Sequence, residues 1–219
     1  MHIGVLGGTG PAGRGLALRL AAAGFTVTVG SRSREHAEEI CAKCRSDWPD
    51  HELAIHPGEN DSAAAADLVV VATPWEAAAP TVGALRDQLS GKVVLSMANA
   101  LTRVGNEFVP LIPPRGSVAA WVQAAVPEAT VAAALHHVPA RELADLDHDL
   151  SGDVLVCSDH PGATAAVSDL IRRLPGLRPI DAGSLASASA IEALTPVLLQ
   201  VNARYKTRAS IRLTNIDLG

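Results

Sequence analysis

Three glycines spaced Gly8-x-Gly10-x-x-Gly13 follow a short apolar run, Ile3-Gly4-Val5-Leu6, and lead into a stretch that reads as helix. That order of strand, turn and helix separates a dinucleotide-binding turn from a chance glycine cluster. Gly8 permits the tight turn off the strand. Gly10 lets backbone N–H groups approach a pyrophosphate with no Cβ in the way, and Gly13 lets the helix lie close to the sheet. Thr9 stands inside the turn, and Pro11 and Ala12 open the helix, where a proline forfeits no hydrogen bond. Unpaired N–H groups and the helix dipole favour phosphate charge at that end. The competing reading is a glycine-rich turn with a structural role only.

A dinucleotide site of this kind usually offers a carboxylate to the ribose hydroxyls about 20 residues further on, at the end of the second strand. Here that position reads Gly30-Ser31-Arg32-Ser33-Arg34. No carboxylate repels a 2′-phosphate; the Ser31 hydroxyl can bond it and the Arg32 guanidinium can pair with it bidentately. NADP(H) is therefore expected over NAD(H). Arg34 either joins Arg32 or is a solvated first-turn arginine.

Further candidates are placed by strand ends. Thr73, Pro74 and Trp75 follow the fourth apolar run, on the cofactor rim of an open α/β sheet. Trp75 either packs near the nicotinamide ribose or fills space beneath the loop. His136 and His137 follow the sixth run, and on an extended segment adjacent side chains point to opposite faces, so at most one of them is expected to face the cleft, the alternative being a hydrogen-bonded structural histidine. Asp181-Ala182-Gly183-Ser184 closes the last strand, either as a helix cap or as backbone N–H groups offered to a ligand. Near the C-terminus Arg204, Lys206, Arg208 and Arg212 form a basic run, suited either to a polyanionic ligand or to a helix C-terminus.

The elements that hold these residues alternate short apolar runs with Ala-rich helical stretches, the pattern of βαβ units and a parallel sheet. Strands are expected at Ile3 to Leu6, Thr26 to Gly30, Leu53 to His56, Leu68 to Thr73, Val93 to Ser96, Thr130 to Leu135, Val154 to Cys157 and Leu177 to Ile180. Helices are expected at Pro11 to Ala23, Glu35 to Arg45, Asn60 to Ala66, Glu76 to Leu89, Gly116 to Ala125 and Ala163 to Leu174. A closing helix runs from Ser187 to about Ile211 with Pro196 as a kink or a new start. Met97 to Arg115, with Pro110, Pro113 and Pro114, reads as an irregular segment that crosses an edge or lines a cleft.

The chain has 219 residues, 48% hydrophobic but only 3% aromatic, so Ala, Val and Leu must fill the core. A net charge of −5 and a pI near 5.9 argue against general nucleic-acid affinity, which needs a basic face. No apolar run reaches membrane-spanning length and Met1 leads straight into a strand, so a cytoplasmic protein is expected. Three cysteines in such a chain suit a reducing compartment. Cys41 and Cys44 form a C-x-x-C without a second Cys/His pair at ligand spacing, so they read as two thiols on one helix face and no metal site is expected.

These segments together resemble the NADP-dependent oxidoreductases of archaea and actinobacteria that use the 5-deazaflavin coenzyme F420. The likeness is carried by Leu6-Gly7-Gly8-Thr9-Gly10, Gly15-Leu16-Ala17-Leu18-Arg19-Leu20, Val29-Gly30-Ser31-Arg32, Pro74-Trp75-Glu76, Ala134-Leu135-His136 with Pro139-Ala140, Leu177-Arg178-Pro179-Ile180-Asp181-Ala182-Gly183, and Glu192-Ala193-Leu194-Thr195-Pro196. A generic Rossmann protein would share the glycines but not the Asp-Ala-Gly and Leu-Thr-Pro blocks. The chain departs from the family after the fifth strand, where a Pro/Val- or Asn-Pro-rich segment is replaced by Ser96-Met97-Ala98-Asn99-Ala100-Leu101-Thr102-Arg103.

The resemblance implies an α/β fold, a Rossmann-type parallel sheet with helices on both faces plus a small C-terminal α/β part. Residues 1–135 would bind NADP(H), and residues 136–219 would complete the deazaflavin cleft and a dimer interface. It implies reversible hydride transfer between NADP(H) and F420, with catalytic His136 and Val138 lining the ring pocket and Gly183-Ser184 helping to hold the deazaflavin. The basic run would meet the coenzyme's anionic tail, and the stripe Leu194, Val197, Leu198 and Val201 would pair two copies. Two alternatives share the cofactor: an NADPH-dependent reductase of flavin or ferric complexes, like the reductase domains of metal-reducing membrane proteins, and a non-catalytic NADP(H) sensor.

Overall fold

The computed structural model describes residues 1–216. Its first half alternates as the apolar periodicity predicts: β1 (His2–Leu6), α1 (Pro11–Ala22), β2 (Thr26–Ser31), α2 (Arg34–Asp47), β3 (Ile55–Glu59), α3 (Asn60–Ala64), β4 (Leu68–Val71), α4 (Trp75–Ala84), α5 (Arg86–Leu89) and β5 (Val93–Ser96). A hairpin of β6 (Leu101–Val104) and β7 (Glu107–Pro110) follows, then α6 (Val118–Ala125) and β8 (Thr130–Ala133). The chain continues through α7 (Ala140–Leu143), β9 (Gly152–Ser158), α8 (Pro161–Arg172), β10 (Leu177–Asp181) and α9 (Ala188–Tyr205).

The main sheet is ordered β10-β9-β8-β5-β4-β1-β2-β3. Six strands, from β3 across to β8, run parallel, with Ile3 opposite Val27 on one side and Leu68 on the other. β9 pairs antiparallel with β8 through Ala133 and Cys157, and β10 is parallel to β9. The strands after residue 136 therefore extend the same sheet in the reversed direction. Their starts, Gly152 and Leu177, lie toward the edge where β1, β4 and β5 end.

A parallel sheet covered on both faces needs continuous apolar strands rather than alternating ones. Leu68-Val69-Val70-Val71 is buried throughout. One face buries Leu16, Leu20, Leu143 and Leu170, and the other Leu6, Val82, Val122 and Leu185. Each such side chain contributes about 1.5–3 kcal/mol of hydrophobic stabilisation. Cys41 and Cys44 lie in the first of these cores, and burial pushes the Cys41 thiol up to about 11.

Several boundaries differ from the sequence reading, each for a local reason. The proline-rich segment contains the β6–β7 hairpin, turned at Gly105 (φ 59°) and Asn106, with Pro110 at its very end opposite Leu101. The stretch Glu76 to Leu89 is two helices, broken at Leu85 (φ −109°, ψ 14°). The third strand starts two residues late, at Ile55, and α7 was not foreseen. β8 stops at Ala133 because Leu135 takes a left-handed conformation (φ 66°), so His136 and His137 are not on an extended run. Both rings are buried, and the His137 ring lies against the Asp153 carbonyl.

The closing helix is continuous through Pro196 but ends at Tyr205, with Lys206 left-handed (φ 51°). Beyond it the chain doubles back along β9. Asp153 N–H donates to the Ile211 carbonyl at 2.8 Å, and Leu213 N–H donates to the Asp153 carboxylate at 2.6 Å. That carboxylate accepts a bidentate pair from Arg178 at 2.7 and 2.9 Å and lies 3.5 Å from Arg212; Arg208 pairs with Glu142 at 2.6 Å. Two cations of the basic run are thus committed to internal pairs. On the far side of the same region the buried Arg19 guanidinium donates to the carbonyls of Glu142, Leu143, Asp145 and His148, pinning α7 and the following loop onto α1.

Candidate functional site

The glycine turn has a division of labour finer than its spacing suggests. Gly7, not Gly8, is the left-handed residue (φ 69°), and a Cβ there would lie 2.8 Å from Thr73 Cγ2. At Gly8 a Cβ would meet the Val5 carbonyl at 2.9 Å and Val29 at 3.0 Å; at Gly13 it would meet the Gly7 carbonyl at 2.8 Å. These three let the turn, β1 and α1 close on one another. Gly10 differs: within 4 Å of its Cβ position lies only the Gly7 carbonyl, at 3.5 Å. The space beside Gly10 is open, as a cradle for phosphate requires.

No side chain caps α1, and Pro11 occupies its first turn, so the N–H groups of Ala12 and Gly13 have no intrahelical partner. Gly8 N–H is consumed by the Gly30 and Val5 carbonyls at 2.9 and 3.2 Å, and Gly10 N–H by the Gly7 carbonyl at 3.2 Å. The Asn60 side-chain oxygen accepts from Gly7 N–H at 3.4 Å and so ties α3 to the turn.

Around this turn, at the carboxyl ends of β1, β2 and β4, opens a cavity of about 540 Å³. Gly7, Thr9 and Gly10 form its floor, Ser31, Arg32, Ser33 and His36 one end, and Ala72, Thr73, Pro74, Ala77 and Thr81 the other, with Asn60 between. Ser33 N-caps α2 by accepting from His36 N–H at 3.2 Å, and Ser31 Oγ accepts from Ser33 N–H at 3.2 Å. Arg32 is exposed and makes no hydrogen bond or ion pair among the described residues. Arg34 turns away from the cavity, 3.2 Å from Glu38 one helical turn on, and remains 61% exposed.

Three adjacent strand ends carry buried polar atoms without a partner: Thr73 Oγ1 after β4, Ser96 Oγ on β5, and both ring nitrogens of His136 after β8. Burial and the neighbouring His137 push His136 down to about 3, so its imidazole is neutral at physiological pH. Its backbone is fixed instead: the His136 carbonyl lies 3.0 Å from both Asn99 Nδ2 and Thr195 Oγ1, which joins β5, β8 and α9. Of the three unpartnered residues, Thr73 lines the cavity, while the Ser96 hydroxyl and the His136 ring are buried beside it in the neighbouring strand ends.

Not every expected residue converges. Trp75 does not line the cavity; its ring stacks obliquely on Trp121 of α6, 6.4 Å between centroids. Val138 lies apart from His136, in a separate cavity of about 110 Å³ walled by His137, Glu142, Asp153 and Arg208. Leu135 causes this separation, because its left-handed turn swings residues 137–139 away. His137 Nε2–H donates to the Asp153 carbonyl at 2.8 Å. Gly183 (φ 85°) spends its N–H on Asp181 at 2.8 Å, and with Ser184 it lies outside the Gly10 cavity. Sequence reasoning had passed over Gly7, Ser33, His36 and Asn60; the serine cap three residues ahead of His36 was the available signal for two of them.

A parallel sheet in this order, with a glycine cradle and an open cavity where the strand order reverses, defines a Rossmann-type dinucleotide-binding protein. Its relatives are narrower. The family model described as NADP oxidoreductase, coenzyme F420-dependent, matches residues 2–100. The F420-dependent NADP reductase of Methanocaldococcus jannaschii is 39% identical over 224 aligned residues, covering 100% of both chains. The chain belongs to this family of coenzyme F420-dependent NADP oxidoreductases. A crystal structure from Arthrobacter sp. FB24, provisionally named an F420-dependent NADP reductase, superimposes with a TM-score of 0.81 at 28% identity over 98% of this chain and 99% of that one. The metalloreductase STEAP3 of Rattus norvegicus is 30% identical over 90% of this chain, which spans 37% of that protein.

Proposed function

We propose that the chain catalyses reversible hydride transfer between NADP(H) and coenzyme F420. The observation that carries this reading is the full-length likeness to an F420-dependent NADP reductase, 39% identical across the whole of both chains. The cavity fits the first partner. Gly10 leaves room for a pyrophosphate, the free N–H groups of Ala12 and Gly13 face its charge, and Ser31 with Arg32 offers a 2′-phosphate a hydroxyl and an unpaired guanidinium.

Hydride passes between nicotinamide C4 and the central ring carbon of the deazaflavin. The protein's part is positioning, since holding two rings at near-attack distance removes several kcal/mol from the barrier. Thr73, Ser96 and His136 supply polar groups along the strand ends, and Asn99 and Thr195 hold the His136 backbone in place. The neutral His136 ring is suited to orienting a ring substituent by hydrogen bonding rather than to supplying charge. Residues 1–135 serve NADP(H), and residues 136–219 complete the deazaflavin side.

Pairing of two chains is supported by apolar surface on α9, the adjoining hairpin and the segment that follows it: Val197 is 55%, Tyr205 76%, Val104 61% and Ile112 87% exposed. Among the described residues no helix is long and apolar enough to cross a membrane, and all three cysteines are free thiols, which suits a reducing cytoplasm. The likeness to a metalloreductase favours a second reading, transfer to flavin or ferric complexes. Supplying NADPH-loaded protein with F420, free flavin and ferric citrate in parallel separates the two. Turnover with F420 well above the others supports the first reading, and turnover confined to flavin or iron replaces it.

A further inference from the structure

The covalent geometry of NADP(H) restricts where its adenosine ribose can lie. That ring carries the pyrophosphate on its 5′-oxygen and the extra phosphate on its 2′-oxygen, so with the first over Gly10 and the second at Ser31 and Arg32 it must span the stretch of floor between them. Asn60, at the start of α3, stands on that stretch. Its side-chain oxygen lies 3.4 Å from Gly7 N–H and 2.9 Å from where a Cβ would sit on Gly30, the residue just before Ser31. Resting on the NADP(H) reading, we propose that Asn60 is a binding residue for the adenosine ribose, its amide N–H donating to the 3′-hydroxyl.

The orientation of the amide follows from its partner. Gly7 N–H is a donor, so Oδ1 must face it, and Nδ2 is left without a hydrogen bond among the described residues on a side chain that lines the cavity. Small neighbours fix its position. A Cβ on Gly30 would also meet Ala63 Cβ at 2.8 Å, so glycine is what lets α3 bring Asn60 this close to the end of β2. Backbone donors along the same stretch are already spent: Gly8 N–H on the Val5 and Gly30 carbonyls, Gly10 N–H on the Gly7 carbonyl, and Ser33 N–H on Ser31 Oγ. Dinucleotide sites commonly hold the ribose hydroxyls with a carboxylate at the end of the second strand. Here that position is Ser31-Arg32, and a neutral amide supplied from the end of β3 can hold the ring without setting a negative charge beside the 2′-phosphate.

The probes are 5′-AMP and 3′-deoxy-5′-AMP, which differ in that hydroxyl alone, each titrated into the full chain by calorimetry. The wild type should bind 5′-AMP about three- to tenfold more tightly than the deoxy compound, the worth of one neutral hydrogen bond. Asn60→Ala should bind the two alike. Asn60→Asp, which keeps an oxygen for Gly7 N–H and can accept from the hydroxyl, should restore the difference. A residue that only ties α3 to the glycine turn gives another pattern: Asn60→Ala then weakens both probes in proportion and keeps the preference. That result overturns the proposal, as does a wild type that binds both probes equally while binding NADPH. A wild type that binds no NADPH overturns instead the NADP(H) reading on which the proposal rests.

Discussion

Gly10→Ala isolates the cofactor from the fold. Its φ of −68° is open to any residue, and the added Cβ meets only the Gly7 carbonyl at 3.5 Å, an ordinary contact. Exchanging glycine for alanine at a helix N-cap costs about 0.5–1 kcal/mol, which for a chain of this size lowers Tm by about 1–4 °C. The methyl group nevertheless occupies the open side of the turn, where a pyrophosphate must approach the Ala12 and Gly13 N–H groups. Losing one charge-assisted hydrogen bond costs about 1.5–3 kcal/mol, so NADPH affinity should fall at least tenfold. Gly13→Ala is the counterpart: its Cβ sits 2.8 Å from the Gly7 carbonyl and 3.0 Å from Ala72, an overpacking of about 1–3 kcal/mol that lowers Tm as well. Thermal melts and NADPH titration of both variants decide the matter. A Gly10→Ala protein that binds NADPH like the wild type would refute the cradle, and one that unfolds would refute the steric reasoning.

Arg32→Glu should weaken NADPH by about 2–4 kcal/mol more than NADH, as measured by fluorescence titration of each; equal losses would remove the 2′-phosphate from this corner. Glu192 accepts from Val118 and Ala119 N–H at the start of α6, and burial pushes it up to about 7. The folded state therefore holds this proton more tightly than the unfolded chain does. Its contribution is complete below pH 4.5 and lost as the pH rises through about 7, an effect of about 3 kcal/mol in urea unfolding that Glu192→Gln should flatten. Asp153→Asn should release the C-terminal strap that Arg178, Arg212 and Leu213 hold, and speed tryptic cleavage after Lys206 or Arg208 about tenfold or more. Hydrogen bonding from Arg178 holds the Asp153 carboxyl below its ordinary value, so in the wild type the strap should stay closed above pH 3.8 and open as the pH falls below it.

The sheet and the glycine cradle were legible from residue types, because buried parallel strands must be continuously apolar and a pyrophosphate turn must lack Cβ atoms. What escaped depended on single residues or distant partners. Leu135 adopts a left-handed turn that no leucine advertises, and it redirected His136, His137 and Val138 at once. The prolines of residues 110–114 masked a Gly105-Asn106 hairpin signal. Arg34 and His36 both lie in the first turn of α2, and only the folded helix shows that Arg34 pairs with Glu38 while His36 lines the cavity. The basic run looked like a ligand site because its partners, Glu142 and Asp153, lie more than fifty residues away in the chain.

Hydride transfer itself is tested most directly by a single turnover. Mixing the protein and excess NADPH with oxidised F420 in a stopped-flow instrument, at the deazaflavin absorbance band, should bleach that band rapidly and in proportion to F420. An absorbance that stays constant at saturating NADPH would contradict the account.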